Sequence, residues 1–436
     1  MSHNKMKPIA AALAFGLFGA LGPAAAATFV QCPGDLDGDA VSDIPDSAHP
    51  DAKCMHLTGS DGFVTMADGR RLYMFSFADV TGVAEQQAID AGTLAANFSA
   101  PTIVLDQGQE FLLSLTNTGM QVRPDLFDPH SVHFHGFPNA SDIFDGLPEA
   151  TISINQGSTL TYYYNLQEPG THMYHCHVEA TEHMQMGMLG NLYVRPAQNK
   201  TGYDADPATV ARLGGNETSA VEGYVFNDGD GATAYDVEYP IQIGSFDGEF
   251  HQASEDVQPL PFAGMVDKYP MLNGRGYPDS ANRLGDFFPS TPGSGANPSK
   301  DTELSQNNPF YVAGQLATSQ RISSLIEVDR VADGPRLLLR ISNLNVTNFY
   351  TLTANGLTMK VVGTGARILR GGGEASGTDF SYDTSSVTLG GGEAIDVIID
   401  TSNVAAGTYF LYTTNLNFLS NDGEDFGGMM TEIVVN

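Results

Sequence analysis

The sequence predicts an all-β protein with two Greek-key β-sandwich domains. Its 436 residues include 48 glycines and 23 prolines, which is typical of many short strands joined by turns. Short runs of alternating apolar and polar residues recur along the chain, among them "RRLYMFSF", "EFLLSLTNTG" and "STLTYYYNL". Turn residues separate these runs, as in a Greek-key sandwich.

The second half of the chain repeats the order of the first. "ISINQGSTLTYYYN" followed by "GTHMYHCH" matches "VTLGGGEAIDVIID" followed by "GTYFLYTT". The match sets Tyr-Thr-Thr at 412–414 opposite His-Cys-His at 175–177, so the second copy lacks the metal-binding residue types of the first. The predicted organisation is a first domain at 60–196, a linker at 197–220, and a second domain at 221–436 with an insertion at about 254–320.

The N-terminus has the features of a secretory signal peptide. Lys5 and Lys7 precede an apolar run at residues 9–21, and an A-x-A site ends near Ala27. This run is too short to span a bilayer. We therefore expect residues 1–27 to be removed and the mature protein to be secreted or periplasmic, with no membrane span.

The chain is strongly acidic, with a formal net charge of −31 at pH 7. Nucleic acid is therefore not an expected partner, because phosphates would be repelled. The acidity would attract metal cations or a basic electron-transfer protein, although such a charge more often serves solubility or adaptation to salt.

Three cysteines leave one unpaired in an oxidising compartment. Cys32 and Cys54 bracket a short loop in the N-terminal segment, residues 28–59, and are expected to form a disulfide. Between them, "DLDGDAVSD" resembles the calcium loops of dockerin and thrombospondin type 3 repeats, with oxygen ligands at alternate positions. The candidate ligands of a structural calcium ion are Asp35, Asp37, Asp39, Asp43 and Asp46. A plain acidic turn is the alternative.

Two histidine-rich strands contain the candidate metal ligands. Side chains alternate across a strand, so in "YHCHV" Cys176 points to one face while His175 and His177 point to the other, about 7 Å apart. In "HSVHFHG", His133 and His135 share a face and His130 points oppositely. Each strand therefore offers a pair of histidines to one site and a single ligand to another.

The single ligands predict a blue-copper site. Cys176 and His130 lie on the same side, and the turn after the second strand adds His183 and Met188. A thiolate, two imidazoles and a thioether are the ligands of mononuclear electron-transfer copper. Zinc is a weaker alternative, since it has no use for the methionine.

"DPHSVHFHGF" and "GTHMYHCHVEATEHMQMGM" together resemble the ligand motifs of two-domain, laccase-like multicopper oxidases, whose domains are cupredoxin-like. The resemblance implies a type 1 copper that takes single electrons from a phenol-like donor or a low-valent metal ion, and a type 2/3 copper cluster that reduces O2 to water. The implied type 1 ligands are His130, Cys176, His183 and Met188. The implied cluster ligands are His133, His135, His175 and His177.

Copper nitrite reductases are the related alternative. Their motif has an acid at the position of His133 and an apolar residue at that of His177, so oxygen chemistry is favoured. A non-enzymatic blue-copper protein is a further alternative. Asp145, in "IFDGLP", matches an acid that moves protons near the cluster in the oxidases, and it is equally typical of a turn before glycine.

The resemblance also implies four HxH pairs around a trinuclear cluster, whereas this chain has two. A homo-oligomer, dimeric or trimer-based, would supply the rest. In one arrangement two first domains face each other across a two-fold axis and share one cluster, because such a contact repeats the same patch from both chains. The alternative is a smaller copper site on the four histidines, with or without His251 from a neighbour.

Overall fold

The computed structural model describes residues 29–66, 68–96, 98–138, 140–201, 223–281, 324–373, 377–423 and 428–436. The predicted signal peptide, most of the predicted linker and most of the predicted insertion lie outside the described residues.

Within the described residues, the first domain is a sandwich of two four-stranded sheets. Its elements are β1 (Ala52–Thr65), β2 (Arg71–Asp79), α1 (Glu85–Gly92), β3 (Ala100–Asp106), β4 (Glu110–Gly119), β5 (His133–His135), β6 (Thr159–Asn165), β7 (Gly170–His175), α2 (Ala180–Met186) and β8 (Leu189–Arg195). One sheet has the strand order β2-β1-β4-β6 and the other the order β3-β8-β7-β5.

Aromatic side chains fill the space between these sheets. In β6, Tyr162 and Tyr164 are buried while Tyr163 is exposed, which is the alternation expected of a strand with one face in a core. Phe134 of β5 stacks on Tyr164 with 4.0 Å between ring centroids. Because Phe134 points into the core, the residues on either side of it in β5 point away from the core.

The second domain begins after α3 (Gln198–Thr201). Its elements are β9 (Gly223–Tyr224), β10 (Ala234–Tyr235), β11 (Val237–Phe246), α4 (Gly248–Glu255), β12 (Tyr269–Leu272), β13 (Ile326–Val328), β14 (Arg336–Asn343), β15 (Tyr350–Ala354), β16 (Met359–Thr364), β17 (Arg367–Ile368), β18 (Tyr382–Thr384), β19 (Ser386–Leu389), β20 (Glu393–Asp400), β21 (Gly407–Thr413) and β22 (Met430–Val435). One sheet has the order β12-β11-β14-β20-β16-β17, with β18 beside β16, and the other the order β13-β22-β21-β15-β19.

The two domains share a topology. β1 pairs with β4 in parallel, as β11 does with β14, and β3 pairs with β8 in parallel, as β13 does with β22. The remaining neighbours in the first domain are antiparallel. The structure confirms the prediction of an all-β chain with two related sandwich domains.

Buried polar contacts join the domains. The hydroxyl of Thr171 in β7 donates to Asp396 Oδ1 in β20 over 2.5 Å. The fully buried guanidinium of Arg340 in β14 donates to Glu238 Oε2 over 2.8 Å and lies 4.6 Å from the ring centroid of Tyr193 in β8. β7, which leads to the predicted ligands, therefore lies at the domain boundary.

The N-terminal segment is tied covalently to the first domain. Cys32 and Cys54 form a disulfide, with 5.8 Å between their Cα atoms. Cys54 lies within β1, which begins at Ala52 and so crosses the boundary predicted at residue 60. Among the described residues, no helix has the length and apolar character needed to cross a membrane.

The described beginning of the insertion packs against the first domain. Leu260 and Met265 pack against the first domain's core, although they follow β11 of the second domain. β12 pairs antiparallel with β11. Residues 254–281 are therefore integrated into both domains.

Candidate metal centres

The first centre is assembled where β7 ends. Cys176 directly follows β7, and its backbone N–H donates to the carbonyl of Met188 over 3.1 Å. Met188 N–H donates in turn to the carbonyl of His183 over 2.8 Å. Gly187 allows this tight return because it adopts a φ of 113°, a conformation that favours glycine. The turn thereby brings the three predicted ligands together.

The side chains converge on Cys176. His183 Nδ1 lies 3.1 Å from Cys176 Sγ, while the opposite ring nitrogen, Nε2, donates to Asp128 Oδ2 over 3.0 Å. Ser131 N–H donates to the same sulfur over 3.4 Å. Ligand atoms of His130, Cys176 and His183 all lie within 4.8 Å of one another.

The surroundings of His130 indicate whether copper fits this centre. Both of its ring nitrogens are buried and have no hydrogen-bond partner among the described residues. Such orphaned atoms are costly unless something else binds them. Gly59 makes room for the ring, since a Cβ there would lie 2.7 Å from His130 Cδ2 and 3.5 Å from Met188 Cε. The thiolate, imidazole and thioether donors fit copper.

The charges also suit a cation. Burial alone would raise the pKa of the Cys176 thiol, but the imidazoles of His183 and His130 beside it lower that pKa to about 5. Burial would lower the pKa of His183, yet Cys176 and Asp128 hold it well above its usual value. Cys176 is therefore favoured as the thiolate that binds metal, and metal binding would displace the proton that Cys176 and Asp128 hold on His183.

The second centre lies on the other face of the same sheet. β5 and β7 pair so that His133 stands opposite His175, and ligand atoms of these two residues and His135 lie within 4.8 Å of one another. The ring of His177 lies 5.1 Å from that of His133 and 5.5 Å from that of His175. The structure thus gathers all four predicted histidines, with His177 at the edge of a closer group of three.

Backbone carbonyls orient two of these rings. The Nδ1–H of His133 donates to the carbonyl of Asp145 over 2.6 Å, and the Nδ1–H of His175 donates to the carbonyl of Cys176 over 2.7 Å. Each neutral ring therefore keeps a lone pair on Nε2. His175 Nε2 faces His135 Nδ1 at 3.3 Å. Two inward nitrogens at this spacing suit one metal ion with bonds of about 2 Å to nitrogen.

A cavity of about 470 Å³ opens in front of these histidines. Its other wall comes from the second domain of the same chain, residues 344–349 and 391–392. Gly392 approaches most closely, since a Cβ there would lie 2.8 Å from His135 Nε2. Burial lowers the pKa of His175 to about 3, and it also lowers those of His133 and His135. The rings are therefore neutral, as metal binding requires.

His251 is not available to a neighbouring chain, which corrects the idea that it could complete a partner's site. It is fully buried, with Nδ1 2.5 Å from the carbonyl of Tyr73 and Nε2 2.9 Å from that of Gln185. Its contacts lie within its own chain, where it joins α4 to β2 and α2.

Asp145 lies beside the second centre but does not line its cavity. Its carbonyl holds His133, and its Oδ1 lies 3.5 Å from the same Nδ1. The sequence-based role of proton relay stays a prediction, while the contacts show a residue that orients His133.

The acidic loop brings together only part of the predicted calcium set. Carboxylate oxygens of Asp35, Asp37 and Asp39 lie within 4.8 Å of one another. Asp43 Oδ2 instead accepts from Leu36 N–H over 2.9 Å. Asp46 Oδ1 accepts from the backbone N–H of residue 48 over 2.8 Å. Asp35 likewise accepts from the backbone N–H groups of residues 37, 38 and 40, so these bonds do not separate a calcium site from a plain acidic turn.

Sequence reasoning missed two contributors. Asp128, which holds His183, stands two residues before His130 in "DPH", and the spacing gave no sign that it would reach a ligand in a different turn. The second-domain wall of the cavity carries no metal-binding residue type that would have marked it.

Comparisons with known proteins agree on one family. Two sequence models described as multicopper oxidase match residues 80–199 and 284–435, which together span more than half of the chain. Multicopper oxidase MmcO of Mycobacterium tuberculosis is 36% identical over 86 residues, covering 20% of this chain and 16% of that protein. Laccase abr2 of Aspergillus fumigatus is 30% identical over 122 residues, covering 27% of this chain and 19% of that protein. The matches thus span less than a fifth of either relative's length.

Solved structures share the fold. The blue copper oxidase from Nitrosomonas europaea superposes with a TM-score of 0.55 at 19% identity, covering 88% of this chain and 86% of that one. The copper nitrite reductase from Nitrosomonas europaea superposes with a TM-score of 0.51 at 14% identity, covering 88% and 94%. At these identities the likeness concerns the fold alone. On the two matching sequence models, the chain belongs to the multicopper oxidase family.

Proposed function

We propose that this protein is a laccase-like copper oxidase that takes single electrons from a reducing substrate and delivers them to O2. The observation that carries the proposal is that consecutive residues serve two centres. Cys176 belongs to the first and His175 to the second, and His175 Nδ1–H donates to the Cys176 carbonyl. One peptide unit therefore connects the site of electron entry with the histidine cavity.

Copper bound at the two centres would supply one-electron redox chemistry and the reduction of O2. The chain's own residues set the conditions for it. His130, Cys176 and His183 are fully buried, which excludes water from the first centre. Asp128 fixes the ring of His183 by accepting from Nε2. The more open histidine cavity admits a small molecule such as O2.

The donor is proposed to approach through Asp128, since this residue lies between the buried His183 and the surface. Its side chain is 10% exposed, and the neighbouring Phe127 is 80% exposed. A carboxylate suits a low-valent metal ion or the hydroxyl of a phenol, and an exposed ring suits an aromatic donor. Both donor classes therefore stay within the proposal.

The second centre is completed either within one chain or between chains. The number of HxH pairs suggested that two chains share one copper cluster across a two-fold axis. That arrangement needs the first domain of a partner chain in front of the four histidines. The chain's own second domain lines that space, which supports a smaller site within one chain. An oligomer that completes a shared cluster stays the alternative.

Copper analysis joined to mass measurement on the copper-loaded protein distinguishes these arrangements. About two coppers per chain fits the smaller site, whereas about five per dimer fits a shared cluster. O2 uptake with a phenol or Fe(II) as donor supports the oxidase. One copper per chain and no O2 uptake would show a blue-copper carrier instead, and nitrite consumption without O2 uptake would show a nitrite reductase.

We propose separately that the mature protein is exported. The sequence of residues 1–27 supports this, together with the disulfide between Cys32 and Cys54. N-terminal sequencing of protein recovered outside the cytoplasm should begin near residue 28. Recovery only in the cytoplasm with Met1 intact would contradict export.

We also propose that the acidic loop binds a structural calcium ion through Asp35, Asp37 and Asp39. The closeness of their carboxylates supports this. Calcium should raise the melting temperature of the chelator-treated protein, and Asp37→Asn should abolish the increase. An unchanged melting temperature in the original protein would favour the plain acidic turn.

A further inference from the structure

The wall opposite the histidines includes a hydroxyl that leads to a buried carboxyl group. Thr347, in the loop between β14 and β15, lines the cavity. Its hydroxyl donates to Asp267 Oδ2, and its oxygen accepts from Asn348 Nδ2 over 3.0 Å. Thr347 thus lies between the cavity and Asp267.

Asp267 is buried without a basic partner among its described contacts. It is 7% exposed, accepts from Ser245 Oγ over 2.6 Å and from Gln185 Nε2 over 3.4 Å, and feels the carboxylate of Asp247. Burial raises its pKa more than its hydrogen bonds lower it. A carboxyl group in such surroundings retains a proton to a higher pH than an exposed aspartate does.

The elements around Asp267 offer few other titrating groups. α2 presents the uncharged Gln185, the N-cap of α4 presents Asp247, and the start of β15 presents Tyr350. Burial raises the pKa of Tyr350 to a level at which it stays neutral. Asp267 is therefore the carboxyl group in this pocket whose protonated form burial favours.

The reduction of O2 by four electrons consumes four protons and releases two waters. The histidines are poor sources of these protons, because the Nδ1–H groups of His133 and His175 are already donated to carbonyls. Asp145 faces His133 from outside the cavity. Asp267, by contrast, is separated from the cavity by a single hydroxyl, that of Thr347.

We infer that Asp267 and Thr347 form a proton relay into the histidine cavity, an inference that rests on the proposed oxidase function. When Asp267 is protonated, its hydrogen bond with Thr347 reverses, so that the carboxyl group donates to Thr347 Oγ1 and the hydroxyl of Thr347 turns toward the cavity. Asp267 then transfers its proton to Thr347 Oγ1 as the hydroxyl proton of Thr347 passes into the cavity. Asp267 then regains a proton from bulk water. The electrons come from the reducing substrate, so the relay moves protons only.

Three variants test the relay. Asp267→Asn removes the acid at nearly constant volume, Thr347→Val removes the hydroxyl, and Thr347→Ser restores it. Asp68→Asn is the matched control, because Asp68 is also buried with a pKa raised by burial but does not line the cavity. Copper content and melting temperature of each variant identify any effect of misfolding.

Two measurements are needed. In the copper-free protein, the infrared carbonyl band of a protonated carboxyl group should be absent from Asp267→Asn, shifted in Thr347→Val and retained in Asp68→Asn. In the copper-loaded protein, O2 uptake should fall about 100-fold in Asp267→Asn and Thr347→Val, the size expected for losing a proton-transfer group. Thr347→Ser and Asp68→Asn should stay near the original rate, and the solvent isotope effect should increase in the slow variants.

The outcomes separate the two proposals. Asp267→Asn and Thr347→Val with full copper and the original rate across pH would overturn the relay while leaving the oxidase intact. A fully loaded original protein that takes up no O2 would overturn the oxidase function instead. A missing Asp267 carboxyl band at the pH of turnover would also overturn the relay.

Discussion

The two domains have the same strand pairing at equivalent places, but only the first carries ligands there. In the first domain β5 pairs with β7, setting His133 opposite His175. In the second domain β15 pairs with β21, setting Thr353 opposite Tyr412. By this register "HSVHFHG" at 130–136 corresponds to "YTLTANG" at 350–356, so that Tyr350 takes the place of His130.

This correspondence shows that the ligands are not needed for the fold. Tyr350 is fully buried where His130 would lie, and Thr413, at the place of Cys176, is also fully buried. Both positions have been used for packing in the second domain. The metal centres therefore depend on a few side chains at strand ends, carried by a fold that forms without them.

The segments after the equivalent strands also differ. After β7, α2 and Gly187 return the chain so that His183 and Met188 approach Cys176. After β21, a short 3-10 helix, Leu416–Leu419, is capped by Asn415 instead. The first domain thus has both the ligands and the turn that orders them.

Equivalent substitutions in the two domains should differ most in their effect on the copper absorption when the sulfur ligand, Cys176, is replaced. Cys176→Ser should abolish the intense blue absorption of the copper-loaded protein, because that colour needs a thiolate bound to copper. Thr413→Ser, at the equivalent position, should leave it unchanged. Visible absorption and electron paramagnetic resonance measure both. A blue Cys176→Ser variant would mean that another residue binds the first copper.

Substitution on the opposite face should separate the two centres. His133→Ala should lower the copper content by about one ion per chain and abolish O2 uptake while the blue absorption stays, since three close imidazoles form the second centre. Thr353→Ala is the matched change in the second domain and should alter neither. Loss of the blue absorption in His133→Ala would indicate that the two centres are not independent.

The domain boundary allows buried and exposed ion pairs to be compared. Arg340 is fully buried between Glu238 and Asp396, whereas Arg367, 60% exposed, reaches across the boundary to Glu168. Arg340→Met should lower the free energy of unfolding by about 3 kcal/mol or more, because it leaves the fully buried Asp396 without its ion-pair partner and leaves Glu238 with Arg195 alone.

Arg367→Met is the control and should cost less than about 1 kcal/mol, as expected for an exposed pair. Urea unfolding followed by circular dichroism measures both variants. Equal costs would mean that the buried network contributes no more to stability than a surface ion pair does.

The sequence predicted the fold and the grouping of ligands because both depend on local periodicity. Alternation along two strands was enough to assign Cys176 and His175 to different faces, and the internal repeat was enough to identify the second domain. Asp128 was not predictable, since its contact with His183 depends on how two distant turns meet. Asp267 was hidden for the same reason, because nothing in its own neighbourhood indicates that it meets Thr347.

The sharing of the second centre between two chains was predicted from the number of HxH pairs in the sequence. That number cannot show which other residues occupy the space in front of the four histidines. Four histidines per chain suggested a second copy. The structure instead places a loop, residues 344–349, and two glycines at 391–392 in front of them. How the domains of one chain pack depends on contacts such as the ion pair of Arg195 with Glu238, whose partners are far apart in sequence.

Acid should affect the first domain more than the second. Burial lowers the pKa values of His56, His172 and His251 to about 4, and all three lie in or against the first domain. Residues 324–436 of the second domain contain no histidine. Between pH 6.5 and about 4 the unfolded chain binds protons that the folded chain does not, so stability falls as pH falls through this window.

Each of these histidines should reduce the free energy of unfolding by on the order of 1 to 3 kcal/mol over the window, at about 1.4 kcal/mol for each pH unit. Urea unfolding of the copper-free protein at several pH values measures the slope, and His56→Gln combined with His172→Gln should reduce it, while His251 and the buried histidines of the cavity still contribute. His49→Gln is the control, because His49 is exposed and its bond to Glu110 raises its pKa. Hydrogen exchange at pH 4.5 should then show the first domain opening before the second, since only the first has buried neutral rings that acid can charge.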